Sequence, residues 1–255
     1  MQADKITKYI VDWISDYVEN ASLSGLVVGI SGGVDSALTG TLACKTKLPT
    51  YLVNMPIRQN QNEESRGLKQ IKKLEKEFSN CKGLTISLNE TFESFEKSLP
   101  KEILKDQLSM ANSRARLRMT TLYAVAQANK SIVVGTGNKV EDFGVGFFTK
   151  YGDGGVDISP IADLMKSEVY KLARYNGVID EIIQAPPTDG LWSDSRNDED
   201  QIGATYDELE WAMQFEGNEN NISKREKEVL KIFRKFHRQN LHKMKPIPVC
   251  EINKK

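Results

Sequence analysis

The stretch Ser31-Gly32-Gly33-Val34-Asp35-Ser36 gathers two hydroxyls, two glycines and a carboxylate within six residues. It follows the apolar run Leu26-Val27-Val28-Gly29-Ile30 and opens a helix-like segment from Val34 to Lys45. Strand, glycine turn and helix N-terminus in that order converge backbone N–H groups and the positive end of a helix dipole on one concave surface, which is an anion site. The glycines let the backbone approach a phosphate closely. Asp35 would repel that phosphate unless a cation stood between them, so it reads as a magnesium ligand. The plainer alternative is a tight Gly-Gly turn with Asp35 capping the helix. No Gly-x-x-x-x-Gly-Lys-Ser/Thr stretch occurs, so the usual apparatus for cutting a γ-phosphate is absent.

The elements that must position this loop show in the hydrophobic pattern. Ile6, Tyr9, Ile10, Trp13 and Tyr17 paint one face of a helix from Asp4 to Glu19. Apolar runs at Leu26–Ile30, Thr50–Asn54, Leu84–Leu88 and Ile132–Val134 predict strands, with helices at Val34–Lys45, Glu63–Phe78 and Asp106–Asn129 between them. Such alternation implies right-handed βαβ units: an α/β fold, with a Rossmann-like doubly wound parallel sheet flanked by helices. Tyr151-Gly152-Asp153-Gly154-Gly155 predicts a loop, Lys166–Tyr175 a helix followed by Gly177, and Ser193–Asp200 an acidic loop. Thr205–Phe215 and Ser223–Gln239, the latter opening with Ser223-x-x-Glu226, give a helical C-terminal portion. His242 and Lys243 then fall in a tail ending Pro246-Ile247-Pro248, too proline-rich for helix. Residues 1–255 read as a single domain.

Composition narrows the chemistry. Hydrophobic residues make up 39% and charged residues 27%, the balance of a globular protein. No apolar run reaches the roughly 18 residues of a membrane span, and a charged N-terminus is unlike a signal peptide, so the expectation is a cytoplasmic protein with no membrane partner. Basic and acidic residues both number 35, which gives no field favouring nucleic acid. Cys44, Cys81 and Cys250 form no CxxC pair and read as reduced thiols. With only His237 and His242 present, a metal must sit on carboxylates, which favours magnesium.

The loop resembles that of the ATP pyrophosphatases, in which the β,γ-pyrophosphate is cradled and the α-phosphorus attacked. Further along, Gly135-Thr136-Gly137-Asn138-Lys139-Val140-Glu141 and Gly146-Phe147-Phe148-Thr149-Lys150-Tyr151-Gly152-Asp153-Gly154-Gly155-Val156-Asp157 look like the signature of ammonia-dependent NAD synthetases. So do Ser159-Pro160 with Lys166, Ala185-Pro186-Pro187-Thr188, Asp198-Glu199-Asp200 and Gly203-x-x-Tyr206. The match runs from about Leu26 to His242-Lys243.

This resemblance implies a two-step ligase: the nicotinate carboxylate of deamido-NAD attacks ATP to give an adenylate and pyrophosphate, and ammonia then displaces AMP. It places ATP on Gly29, Ile30, Ser31, Gly32, Gly33, Val34, Asp35 and Ser36, and on Thr136, Lys166 and Thr188. Asp35 and Lys166 are the implied catalytic residues, and Asp35 and Glu141 the magnesium ligands. Deamido-NAD would meet Arg116, Lys150, Asp157, His242 and Lys243. Lys150 and Asp157 flank the glycine-rich segment, which would suit a flap that excludes water from an adenylate. At least one of the adjacent Phe147 and Phe148 is expected to touch ligand or a partner subunit. The sequence departs from the family pattern by one extra residue between Glu141 and Phe147. Glu141 keeps the spacing from Thr136, and Asp142 keeps it from Lys150; Glu141 is preferred. Helical spacing sets Arg116 opposite Arg114 and Arg118, which read as solvated or salt-bridged surface residues. Family members are homodimers, and the Asp106–Asn129 helix is a candidate contact. Free ammonia is the expected nitrogen source, since the chain has no room for an amidase domain.

Two other functions compete. A related pyrophosphatase-type enzyme, such as a GMP synthetase or a tRNA-modifying ligase, would use the same loop, although the latter should show a basic surface. A non-catalytic nucleotide sensor would have no use for Asp35, Glu141 and Lys166 together.

Overall fold

The computed structural model describes residues 1–59, 61–187 and 198–252. In chain order the elements are α1 (Ala3–Asn20), β1 (Gly25–Gly29), α2 (Val34–Lys45), β2 (Thr50–Asn54), α3 (Gln61–Glu77), β3 (Cys81–Thr85), α4 (Asn89–Lys97), α5 (Lys101–Leu104), α6 (Gln107–Ala128) and β4 (Ser131–Val134). A π-helix (Lys139–Val145) follows, then α7 (Lys166–Tyr175), α8 (Asp180–Ile183), α9 (Asp198–Ile202), α10 (Tyr206–Gln214), a 3-10 turn (Glu219–Asn221) and α11 (Lys224–Met244).

The four strands form one parallel sheet in the order β3-β2-β1-β4. Strand residues alternate between two apolar layers, as continuous apolar runs require when both faces are covered. Leu26, Val28, Leu52, Ile132 and Val134 join the layer built with α1, α2, α3 and α7. Val27, Val53 and Val133 join Phe92 of α4 and Ala126 of α6 on the other face. A third cluster lies outside the sheet, where Val140 and Val145 of the π-helix meet Tyr206 and Leu209 of α10 and Val229 and Leu230 of α11. The predicted α/β architecture with a helical C-terminal portion is what forms. Among the described residues no helix is long and apolar enough to cross a membrane.

Several boundaries differ from the sequence reading. β3 starts three residues early, at Cys81, because its ladder to β2 begins with Thr50 opposite Cys81. Ile86 and Leu88 extend the pairing only through single bonds to Asn54 and Pro56. This edge strand is half-exposed, so its first residues need not be apolar. The α4 and α5 helices were not foreseen, and Asp198-Glu199-Asp200 opens α9 rather than lying in a loop. α11 runs on to Met244, so His242 and Lys243 are helical. Pro246 stops the helix two residues past its end and does not disturb the preceding turn.

β1 pairs with both β2 and β4, and their connections leave on opposite faces of the sheet. A crevice therefore opens at the carboxyl ends of β1 and β4, the usual ligand position in such sheets.

Candidate active site

The segment after β1 builds one wall of that crevice. Ser36 Oγ donates to Gly33 O at 3.0 Å and accepts from Ser31 N at 3.2 Å, so the hydroxyls hold the loop in shape. Gly32 has φ +92, and a Cβ there would collide with the Glu63 carbonyl oxygen at the start of α3. Only glycine meets both conditions. The capping alternative for Asp35 fails: Gly33 occupies the N-cap position and Asp35 lies within the first turn, its carboxylate pointing across the crevice.

What it meets comes from three other elements. Lys166, the first residue of α7, places Nζ 2.7 Å from Asp35 Oδ2 and 2.8 Å from Glu141 Oε1. Asn138, fully buried after β4, caps the π-helix by accepting from Val140 N and Glu141 N, each at 3.1 Å, and its Nδ2 donates to Asp35 Oδ1 at 3.0 Å. Tyr206 of α10 donates its hydroxyl to Glu141 Oε1 at 2.5 Å, and its ring centre lies 4.8 Å from Lys166 Nζ. Glu210, one turn further along α10, accepts from Ser167 N at 2.7 Å and Ser167 Oγ at 2.8 Å, which pins the start of α7. The side chains of Tyr206 and Glu210 thus brace the ion cluster from one helix face.

Burial drives the electrostatics here. Lys166 is only 4% exposed, and burial alone would lower its pKa, but Asp35 and Glu141 raise it above the usual lysine value. Burial raises Asp35 more than Lys166 can offset, whereas Glu141, with Lys166 and Tyr206 both donating to it, ends below the ordinary glutamate value. Burial and the neighbouring Glu141 charge hold the Tyr206 hydroxyl protonated, as a donor. One ammonium between two carboxylates leaves the cluster a charge short of neutrality, a setting that favours a further cation.

The donor set fits magnesium. Its two carboxylates supply hard oxygens, and magnesium commonly takes one or two of these with phosphate oxygens and water. Asp35 and Glu141 already converge on one cation, the Lys166 ammonium. Asp142 does not join them. Its carboxyl packs against Gly137, and burial together with Glu141, Asp153 and Asp35 raises its pKa well above the ordinary aspartate value. The π-helix over Lys139–Val145 carries both Glu141 and Asp142 in its first turn.

The crevice widens into a cleft of about 710 Å³, whose lining includes residues 29–36, Thr136, Glu141 and Lys166 and also Arg116, Lys150, His242 and Lys243. The second group is knitted together. Arg116 Nε donates to Lys150 O at 3.3 Å, Lys150 Nζ to His242 O at 2.9 Å, and Lys243 Nζ to Phe148 O at 2.7 Å. His242 Nδ1 lies 3.1 Å from Gln239 O. Phe147 and Phe148 both line the cleft. Asp157 is not brought to it. Its carboxylate accepts from Val133 N at 2.7 Å and Tyr123 Oη at 2.9 Å. Thr188 lies outside the described residues.

Arg118 corrects the sequence reading. It lines the cleft, partly buried, with Nε donating to Met55 O at 3.0 Å. Arg114 lies with its guanidinium carbon 5.9 Å from the Phe92 ring centre. Asn138 and Tyr206 stood inside recognised motifs without a role, and Glu210 stood in none. Only their contacts across the fold reveal them.

A glycine loop at the switch point of a parallel sheet, with a buried lysine and two carboxylates beside it, defines an α/β enzyme class whose ligand crevice lies at the strand ends. The family model described as NAD synthase matches residues 6–247, and the chain belongs to that family. It is 39% identical over 229 residues to the NH(3)-dependent NAD(+) synthetase of Mesoplasma florum, which covers 88% of this chain and 90% of that one. Its fold matches the NMN synthetase of Francisella tularensis with a TM-score of 0.88 at 34% identity, over 99% of this chain and 100% of that one. It also matches the NH3-dependent NAD synthetase of Campylobacter jejuni, with a TM-score of 0.79 at 26% identity, over 98% and 100%.

Proposed function

We propose that this enzyme adenylates the nicotinate carboxylate of deamido-NAD with ATP and amidates it with ammonia, giving NAD, AMP and pyrophosphate. The observation that carries this reading is the shared cleft: the glycine loop after β1 and its ion cluster line the same cavity as Arg116, Lys150, His242 and Lys243. In the first step a carboxylate oxygen attacks the α-phosphorus and the bond to pyrophosphate breaks. In the second, ammonia attacks the acyl carbon, the bond to AMP breaks, and the nitrogen sheds a proton. A bare carboxylate has no such leaving group, which is why the first step is needed.

The loop amides and α2 N-terminus hold the pyrophosphate, and Lys166 stabilises phosphate charge as it develops. Magnesium, held by Asp35 and Glu141, would neutralise phosphate charge when bound. Arg116, Lys150, His242 and Lys243 hold and orient the dinucleotide. Thr136 lines the same cleft beside the loop and serves ATP. A homodimer is the proposed assembly. It is supported by exposed Ile103 and Leu108 around the start of α6 and by exposed Tyr151 on the glycine-rich segment. Asp157, engaged within its own chain by Tyr123 and Val133, would then serve a site shared with the second subunit.

The Francisella neighbour supports a second reading, in which the acceptor is nicotinate mononucleotide and the product NMN. Purified protein incubated with ATP, magnesium and ammonium is offered each acceptor, and products are followed by chromatography. NAD, AMP and pyrophosphate formed together from deamido-NAD, and abolished by Asp35→Ala, support the first reading. A higher kcat/KM with the mononucleotide selects the second. ATP binding without turnover of either acceptor removes both.

A further inference from the structure

Arg118 projects from α6 toward the floor of the cleft. Its Nε is anchored on the carbonyl of Met55, the residue just past β2. One turn along α6, the Leu122 side chain packs with Met55 against Gly29 at the root of the phosphate loop. The charges that face the Arg118 guanidinium are Arg114 from its own helix, Glu63 from α3 behind the loop, and Asp153 from the glycine-rich segment. Arg118, the loop from Gly29 to Ser36, and Gly152, Asp153 and Gly155 of that segment line one cleft. Neither carboxylate is an ion-pair partner of Arg118 among the described residues, and Arg114 adds to the positive charge. Burial, with Arg114 beside it, lowers the Arg118 pKa to about 10, which leaves it charged at neutral pH. Of its five N–H donors, the four on the two Nη atoms have no hydrogen-bond partner among the described residues. A partly desolvated guanidinium anchored through Nε presents a planar pair of donors suited to one oxyanion.

We propose that Arg118 is an anion-binding residue whose Nη groups take a phosphate or carboxylate oxyanion of the substrate held between the phosphate loop and residues 151–155. The identity of that substrate rests on the ligase reading above, but the anion site does not.

Wild type, Arg118→Gln and Arg118→Lys are titrated calorimetrically with magnesium ATP, with deamido-NAD, with NAD and with inorganic pyrophosphate. Arg118→Gln weakens at least one anion by about tenfold to a hundredfold, the loss of a charge-assisted pair. Arg118→Lys recovers only part of it, because it keeps the charge without the fork. Loss confined to ATP and pyrophosphate assigns a phosphate. Loss for deamido-NAD but not for NAD, whose amide replaces the carboxylate, assigns the carboxylate. If wild type ignores ATP and deamido-NAD yet binds pyrophosphate through Arg118, the ligase reading falls and the anion site stands. If Arg118→Gln does not fold, Arg118→Lys decides alone. Binding of every probe within twofold of wild type by a folded variant overturns the proposal.

Discussion

The Tyr206 hydroxyl donates to Glu141 Oε1 over 2.5 Å, the same oxygen that the Lys166 ammonium reaches at 2.8 Å. Two donors on one oxygen fix the orientation of the carboxylate. Tyr206→Phe keeps the ring beside Lys166 but frees Glu141 to rotate. The expected result is a stability loss of about 1 to 2 kcal/mol and a manganese affinity roughly tenfold weaker, read by titration of the resting protein. An unchanged metal affinity would remove Tyr206 from the positioning of Glu141.

Asn138 does two jobs through its two amide atoms, and substitutions separate them. Asn138→Asp retains an acceptor for Val140 N and Glu141 N but loses the donor to Asp35 and sets a carboxylate against it. Asn138→Ala loses both, including a cap worth about 1 kcal/mol. The aspartate variant is expected to lose activity as fully as the alanine variant while its π-helix, followed by hydrogen exchange at residues 139–145, stays better protected. Equal loss of protection in both would show that the cap depends on the amide as a whole.

Removing Lys166 leaves two buried carboxylates facing one another. Lys166→Met is expected to cost about 3 to 5 kcal/mol without metal, because an unpaired buried charge is left behind. Added magnesium should raise the melting temperature of this variant more than that of wild type. A variant indifferent to magnesium would argue that Asp35 and Glu141 do not hold it.

The contact of α10 with α11 supplies a pH signature. Arg225 forks onto Glu208 at 2.7 and 2.8 Å and holds its pKa at about 2, against an ordinary 4.5. A depressed carboxylate stabilises the fold fully above the unfolded value, and that contribution is lost as pH falls from 4.5 toward 2. The pair is largely exposed, so screening by solvent and salt keeps its contribution small. Denaturant melts of wild type and Glu208→Gln should converge across that window and differ above it. A constant gap would assign the effect elsewhere.

Much of this molecule was legible before folding. The apolar runs in β1, β2 and β4 needed only the knowledge that strands covered on both faces are apolar throughout. Ser31 to Ser36 announced the glycine turn between β1 and α2 because its parts are neighbours in the chain. The edge strand β3 was misplaced because an exposed edge carries little apolar signal, and its register was set by β2. The end of α11 was misread because Pro246 was given weight over turns that precede it, where its ring does not clash.

The sequence alone thus determined the layered fold, the loop and the residue types of the site, all properties of local pattern or composition. Tertiary structure alone decided which groups meet. Lys166 is 131 residues from Asp35 and 25 from Glu141 along the chain, and Tyr206 is 65 beyond Glu141. Arg118 was separated from a solvated surface arginine only by the packing of α6 against the end of β2. Periodicity records which face of an element is buried, but side-chain partners depend on how elements cross, and that is settled by packing among residues far apart in sequence.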